Sequence, residues 1–285
     1  MTITAAQVNE LRKKTGAGMM DCKNALVEAD GDMTKAIEIL RKKGTSVAAK
    51  RADRTANEGM VLTKISDDKK RGSILELNCE TDFVAKSEDF VKLANKAIKT
   101  AFEKRDDSVT NLLEKNQDLN NMLHDVLGKV GEKIEISRLA NEEAANGILV
   151  DYVHPGSKLG VLVKFDNVKN NYDELVELGK DVAMQVAAMN PLCVTREEVA
   201  KETIEKEIEI YKEVSRKEGK PEQILEKIAL GKLNKFYQEN ILLEQAFIKD
   251  NSKTVGDLIK EYNLKHKSDS KIGLFHRFHL GDEKK

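Results

Sequence analysis

The sequence predicts an α+β protein assembled from pieces. These are a three-helix head, two repeated subdomains each with a three-stranded antiparallel sheet and helices, and a projecting antiparallel helical hairpin. Three observations predict it. Asp and Gly punctuate three short helical patterns within the first 44 residues. Pairs of strand-like runs joined by short polar turns occur twice, 88 positions apart. A Glu- and Lys-rich stretch, broken once at Gly219-Lys220-Pro221, carries apolar residues at helical spacing.

Composition narrows the function. At 285 residues the chain exceeds one typical domain of about 100–200 residues, so two or three cooperating units are expected. It is 40% hydrophobic, 34% charged and 5% aromatic, which suits small cores covered by charged helices. With 48 Lys and Arg against 49 Asp and Glu, the net charge of −1 argues against a protein that wraps nucleic acid, so no direct nucleic-acid partner is expected. No run of about 18 apolar residues exists to span a membrane, and the N-terminus lacks the apolar core of a signal peptide. Cys22, Cys79 and Cys193 are odd in number, far apart and outside any C-x-x-C, which reads as reduced thiols in a cytoplasmic protein.

Residues 1–44 form the head. Its first helix, Ala5–Lys14, sets Val8 and Leu11 on one face and ends at Thr15-Gly16. The second, Asp21–Ala29, stops at Asp30-Gly31. Asp32 caps the third, which carries Met33, Ile37 and Leu40 and closes at Gly44. Three helices in 44 residues make a core near the lower limit for independent folding, which suits a binding head better than a catalytic domain. Residues 45–58, small and basic, read as a linker, helical in part.

The first subdomain, 59–140, begins with the runs Gly59–Ile65 and Arg71–Leu77 around the turn Ser66–Lys70. A helix, Ser87–Phe102, follows with Phe90, Leu93, Ala94, Ala97 and Ile98 on one face. The second subdomain, 141–285, repeats the plan with Gly147–Val153, the turn His154–Lys158, Leu159–Phe165 and a helix carrying Leu175, Leu178 and Val182. Gly59 and Gly147 differ by 88 positions, as do Gly72 and Gly160, whereas Phe90 and Leu175 differ by 85. The first copy therefore holds three more residues between its second strand and its helix. Each copy regains a strand later, at Lys133–Leu139 and Ile272–Phe278, with a shared hydrophobic-x-Arg-hydrophobic pattern at Ile136–Leu139 and Phe275–Phe278. Short hairpin turns imply antiparallel pairing. The insertion 195–240 spaces Ile204, Ile208 and Tyr211 on one arm and Leu225, Ile228, Leu233 and Phe236 on the other. It reads as a projecting helical hairpin, with two core helices as the alternative.

Enzyme signatures are missing. There is no G-x-x-x-x-G-K-[ST], no G-x-G-x-x-G after a strand and no G-x-S-x-G. The closely spaced glycines at Gly16 and Gly18 lie between helices and read as a turn. His276 and His279, three apart on a strand, point to opposite faces, poor geometry for joint metal binding, and no acidic or Cys ligand is expected to join them. His154, before Pro155 in a turn, reads as exposed rather than catalytic. No catalytic residue, cofactor or metal is assigned. The segment Asn78–Lys86, where the first copy is longer, has two readings. Asp82 or Ser87 caps the helix while Phe83 packs as a staple, or the loop is a partner-probing tip bearing an acid and an aromatic.

The run LRKKTGAGMMDCKNAL from Leu11 to Leu26 and the run NCETDFVAK from Asn78 to Lys86 resemble the bacterial elongation factor Ts family. The likeness continues through Gly160–Val163, Gly219–Pro221 and Ser252–Gly256, in order over nearly the whole chain. The resemblance implies a guanine-nucleotide exchange factor that performs no covalent chemistry and promotes GDP release from the GTPase elongation factor Tu during translation elongation. It implies that the factor disturbs the partner's Mg2+ and phosphate site through Thr81, Asp82, Phe83 and Val84, and stays bound until GTP returns. It also implies a head resembling ubiquitin-associated domains, docked on the GTPase domain through Val8, Leu11, Met19 and Met20. The hairpin matches the family's coiled-coil protrusion. His154 is a candidate partner contact in the second subdomain, and self-association stays open. Some members carry a further C-terminal helical module, but this chain stops at Gly281–Lys285, so contacts made by that module are expected to be absent or replaced. The rival classes are an RNA-associated binding module, resting on Lys50, Arg51 and Arg54, and a metal-dependent hydrolase, for which no ligand set exists.

Overall fold

In the head, α1 (Ala5–Thr15) starts at Thr4, whose hydroxyl accepts from Gln7 N while the Gln7 side chain accepts from Thr4 N. It ends at Gly16, which takes a left-handed φ of 69°. Helix α2 (Met19–Glu28) begins two residues earlier than the position of Asp21 suggested. Helix α3 (Met33–Lys50) runs through Gly44 rather than stopping there. One glycine in a helix interior costs only about 1 kcal/mol relative to Ala, too little to end a helix that neighbours support. Leu11, Cys22, Leu26 and Ala36 are fully buried between the three helices. In this computed structural model the described residues are 3–50, 54–169 and 172–282. Arg51 and the ends of the chain lie outside them, as do the side chains of 44–50. Arg54 is engaged, donating to Glu80 Oε2 at 3.0 Å.

The first subdomain comprises β1 (Glu58–Ile65), β2 (Arg71–Cys79), α4 (Asp82–Ala85), α5 (Glu88–Lys104), α6 (Val109–Lys115), α7 (Gln117–Val130) and β3 (Ile134–Glu143). The second comprises β4 (Ile148–Val153), β5 (Leu159–Asp166), α8 (Tyr172–Met189), α9 (Lys201–Lys217), α10 (Glu222–Asn240), β6 (Ala246–Phe247), β7 (Asp250–Thr254), α11 (Val255–His266) and β8 (Lys271–His279). The sheets run β1-β2-β3 and β4-β5-β8, all antiparallel, with β6-β7 a separate small ribbon. Helices α6, α7 and α11 were not anticipated from the sequence.

The two sheets lie face to face, each backed by helices, so both central strands are covered on both sides. Alternation along β2 sends Leu75 and Leu77 toward α5 and Ile74 toward the other sheet; along β5, Val161 and Val163 face α8 and Leu162 faces the first sheet. The contact has an internal two-fold pattern. Val61 N donates to Ser157 O at 2.7 Å, and Leu149 N, its equivalent 88 positions on, donates to Lys69 O at 2.8 Å. Ala144 N donates to Lys70 O, and Leu280 N to Lys158 O. Lys69 and Ser157 both adopt φ near the left-handed value, 58° and 56°, as matching turn residues. Between the sheets Arg138 grips the buried Glu76 carboxylate, donates to His279 O at 3.0 Å and stacks over Phe278. His276 and His279 each meet an acid: Glu142, 134 positions away, and Asp282, only three residues on, which corrects the expectation that no acidic partner stands near them.

Helices α9 and α10 form the antiparallel hairpin. Its buried line on α10 is Leu225, Ala229, Leu233 and Tyr237, four residues apart, with Ile228 and Phe236 half-buried beside it. Ile204, Ile208 and Tyr211 of α9 pack on Leu233 and Tyr237. Pro221 stands immediately before α10 and Gly219 turns the chain with φ 77°.

Candidate functional site

The Thr81–Val84 segment is a single helical turn held at both ends. Strand β2 finishes at Cys79, whose thiol donates to Thr81 O at 3.1 Å. Burial, aided by the Glu132 carboxylate, pushes that thiol up to about 12. Thr81 is extended, and its hydroxyl accepts from Val84 N, capping α4. At the far end Ser87 donates its hydroxyl to Val84 O at 2.8 Å and accepts from Phe90 N to cap α5. The eight residues from 80 to 87 hold this turn, where the second copy has only the five residues 167–171. The extra length of the first copy is thus spent on α4.

That turn divides its side chains by direction. Ala85 is buried and Val84 packs on the core under β1 and β2. Phe83 is 83% exposed, so it is no staple. Asp82 pairs with Lys86 at 2.8 Å, and the hydrogen bond from that ammonium holds the carboxyl below the usual carboxylate range. An exposed phenyl ring beside a charged carboxylate, on a backbone capped at both ends, is a preformed projection that can enter a partner without first being ordered.

The head offers a second surface. Met19 and Met20 open α2 and are 52% and 64% exposed. Val27, overlooked in the sequence, is also exposed, and lies seven positions from Met20 on the same helical face. Val8 and Leu11 are instead interior, so they support this face from below and do not form it. The spacing that marked them as apolar was a core signal. His154 sits exposed in the turn between β4 and β5, its Nδ1 2.8 Å from the Tyr152 hydroxyl. No helix among the described residues is long and apolar enough to cross a membrane.

A family model described as Elongation factor TS matches residues 80–282, which includes the exposed turn, β3 of the first sheet, the whole second sheet and the hairpin. The chain belongs to the elongation factor Ts family. Its role lies in the elongation phase of protein synthesis. Elongation factor Ts of Chloroherpeton thalassium is 46% identical over 99% of this chain and 99% of the relative. Elongation factor Ts of Chlorobaculum tepidum is 48% identical, covering 98% of this chain and 99% of the relative, and that of Clostridium botulinum is 45% identical over 98% and 93%. Likeness to these elongation factor Ts proteins therefore includes the head as well as the matched region.

Two residues beside the turn escaped sequence reading. Glu132 accepts from Thr81 N at 3.0 Å and from the Thr81 hydroxyl at 2.8 Å. Glu80, next to Thr81, accepts from Lys133 N at 2.7 Å. They are 51 and 53 positions from their partners, beyond any local pattern.

Proposed function

We propose that the chain is a guanine-nucleotide exchange factor that binds elongation factor Tu in the cytoplasm and speeds its release of GDP. It does so without covalent chemistry. The observation that carries the reading is Phe83, 83% exposed on a turn fixed by caps at both ends. A GTPase holds GDP through loop amides, Mg2+ and a base pocket. Phe83 acts as a wedge between elements that must close around the nucleotide, and Asp82 alters charge and hydrogen bonding beside the partner's Mg2+. Met19, Met20 and Val27 supply the docking face of the head, Met being adaptable at contact surfaces. His154 is a further contact from the second subdomain.

Acceleration requires that the factor bind nucleotide-free GTPase more tightly than the GDP-bound form. Linkage then makes GDP or GTP weaken the factor by the same ratio, so returning GTP releases it. Each 1.4 kcal/mol or so of that coupling is worth about tenfold in affinity. The test is release of fluorescent GDP from elongation factor Tu with and without the protein. Acceleration that saturates with factor supports the reading, and none at saturation refutes it.

A further inference from the structure

Phe83 can act as a wedge only if its turn keeps its shape under load. The Ser87 bond to Val84 O and the Asp82–Lys86 pair hold its C-terminal side, and its N-terminal side depends on a group outside the turn. Helix α4 is four residues long, and its capping acceptor is one hydroxyl, that of Thr81. A threonine hydroxyl has one proton and can rotate. A partner that takes that proton fixes which lone pair faces the helix and stiffens the cap. In this chain the fixing group is Glu132. One of its carboxylate oxygens accepts the Thr81 hydroxyl proton at 2.8 Å and the other accepts Thr81 N–H at 3.0 Å. With its proton committed to a carboxylate, the Thr81 oxygen presents a lone pair to Val84 N. Adjacent residues return the grip, since Glu80 accepts from Lys133 N. Positions 80 and 81 are thus buckled to 132 and 133 in both directions.

Glu132 stands just beyond α7, after the left-handed cap Gly131. Along its length α7 carries α3 of the head, with Arg41 against Asp125 and the Lys129 side chain lying over Gly16. One helix therefore joins the head to the clamp on the exposed turn.

Resting on the proposed exchange function, we infer that Glu132 is a positioning residue for exchange: its carboxylate locks Thr81 and through it the orientation of Phe83. It touches neither the nucleotide nor the partner. Losing it leaves docking intact and blunts the wedge.

The experiment uses the full-length chain and measures fluorescent GDP release from elongation factor Tu at increasing factor concentration. The proteins are wild type, Glu132→Gln, Glu132→Ala, Phe83→Ala and the double variant Glu132→Ala/Phe83→Ala. Charge-assisted hydrogen bonds are the strong class, so Glu132→Ala should lower the saturating rate about tenfold while the half-saturating concentration moves less than about twofold. Glu132→Gln keeps an acceptor oxygen and should fall between. Backbone amide exchange at Thr81 and Val84 should quicken in the free Glu132→Ala protein. In the Phe83→Ala background Glu132→Ala should cost less than about twofold, because the two act through one projection. Equal losses in both backgrounds, or an unchanged saturating rate, would overturn the role. Failure of the wild-type chain itself to accelerate release would overturn the exchange reading and this inference together. The wild-type arm separates the two cases.

Discussion

Thr63 donates its hydroxyl to the carboxylate of Asp151, and the two residues hold the same place in the two copies, 88 positions apart. Equivalent residues meet because the sheets associate as two identical subunits would, with the same patch on both sides. Such a patch must be flat where it crosses its own axis. Gly72 lies under Leu149 and Leu162, and Gly160 under Val61 and Ile74. A Cβ at Gly160 would stand 2.6 Å from Val61 Cγ1. Gly160→Ala should therefore destabilise the protein by about 1–3 kcal/mol through overpacking. Urea unfolding measures it, and Val61→Ala in the same chain should recover part of the loss.

In the head, burial separates support from contact. Leu11→Ala should lower the stability of the head by about 2–5 kcal/mol, since Leu11 is fully buried. Met20→Ser should leave stability nearly unchanged and raise the factor concentration needed for half-maximal GDP release. Thermal unfolding and a concentration series on both variants distinguish them.

The hairpin packs chiefly on itself. Replacing Lys201–Phe236 by a short Gly-Ser linker should leave both sheets folded and retain much of the exchange activity, as circular dichroism and GDP release would report. Within it, among the described residues, nothing lies within 4 Å of the Cβ that Gly231 lacks. Gly231→Ala should stabilise α10 by about 0.5–1 kcal/mol, read as slower local amide exchange.

Thiol reactivity gives a pH test. Cys79 is pushed up to about 12 and Cys193 to about 11, chiefly by burial. The thiolate is the reactive form, so both should be alkylated slowly by iodoacetamide at pH 8, and quickly once urea unfolds the chain. Rates should rise with pH well past 9, the opposite of a thiol activated by a neighbouring cation.

Much of the fold was legible because strand and helix periods write themselves locally. Leu75 and Leu77, two apart, and Phe90, Leu93 and Ala97, at helical spacing, each declare the face they bury. Helix α7 carries its own helical period in Leu119, Leu123, Val126 and Leu127, but many polar residues between them weaken it. Thr254 and Asp257 form a capping box that announces α11. The exposure of Phe83 was not legible. Spacing permits a staple as readily as a projection, and only the packing of Val84 and Ala85 beneath the turn decides. Glu132 left no trace at all, since a side chain gripping a residue 51 positions away has no period to read.

The most direct test of the account joins two readings on one sample of Phe83→Ala. Because the ring is 83% exposed, its removal should leave the melting temperature within a degree or two of wild type. Because the ring is the proposed wedge, factor-stimulated GDP release should slow about tenfold or more, the loss of an interface anchor commonly costing ~2 kcal/mol or above. A lowered melting temperature with release undiminished in the folded protein would contradict the account and return Phe83 to a packing role.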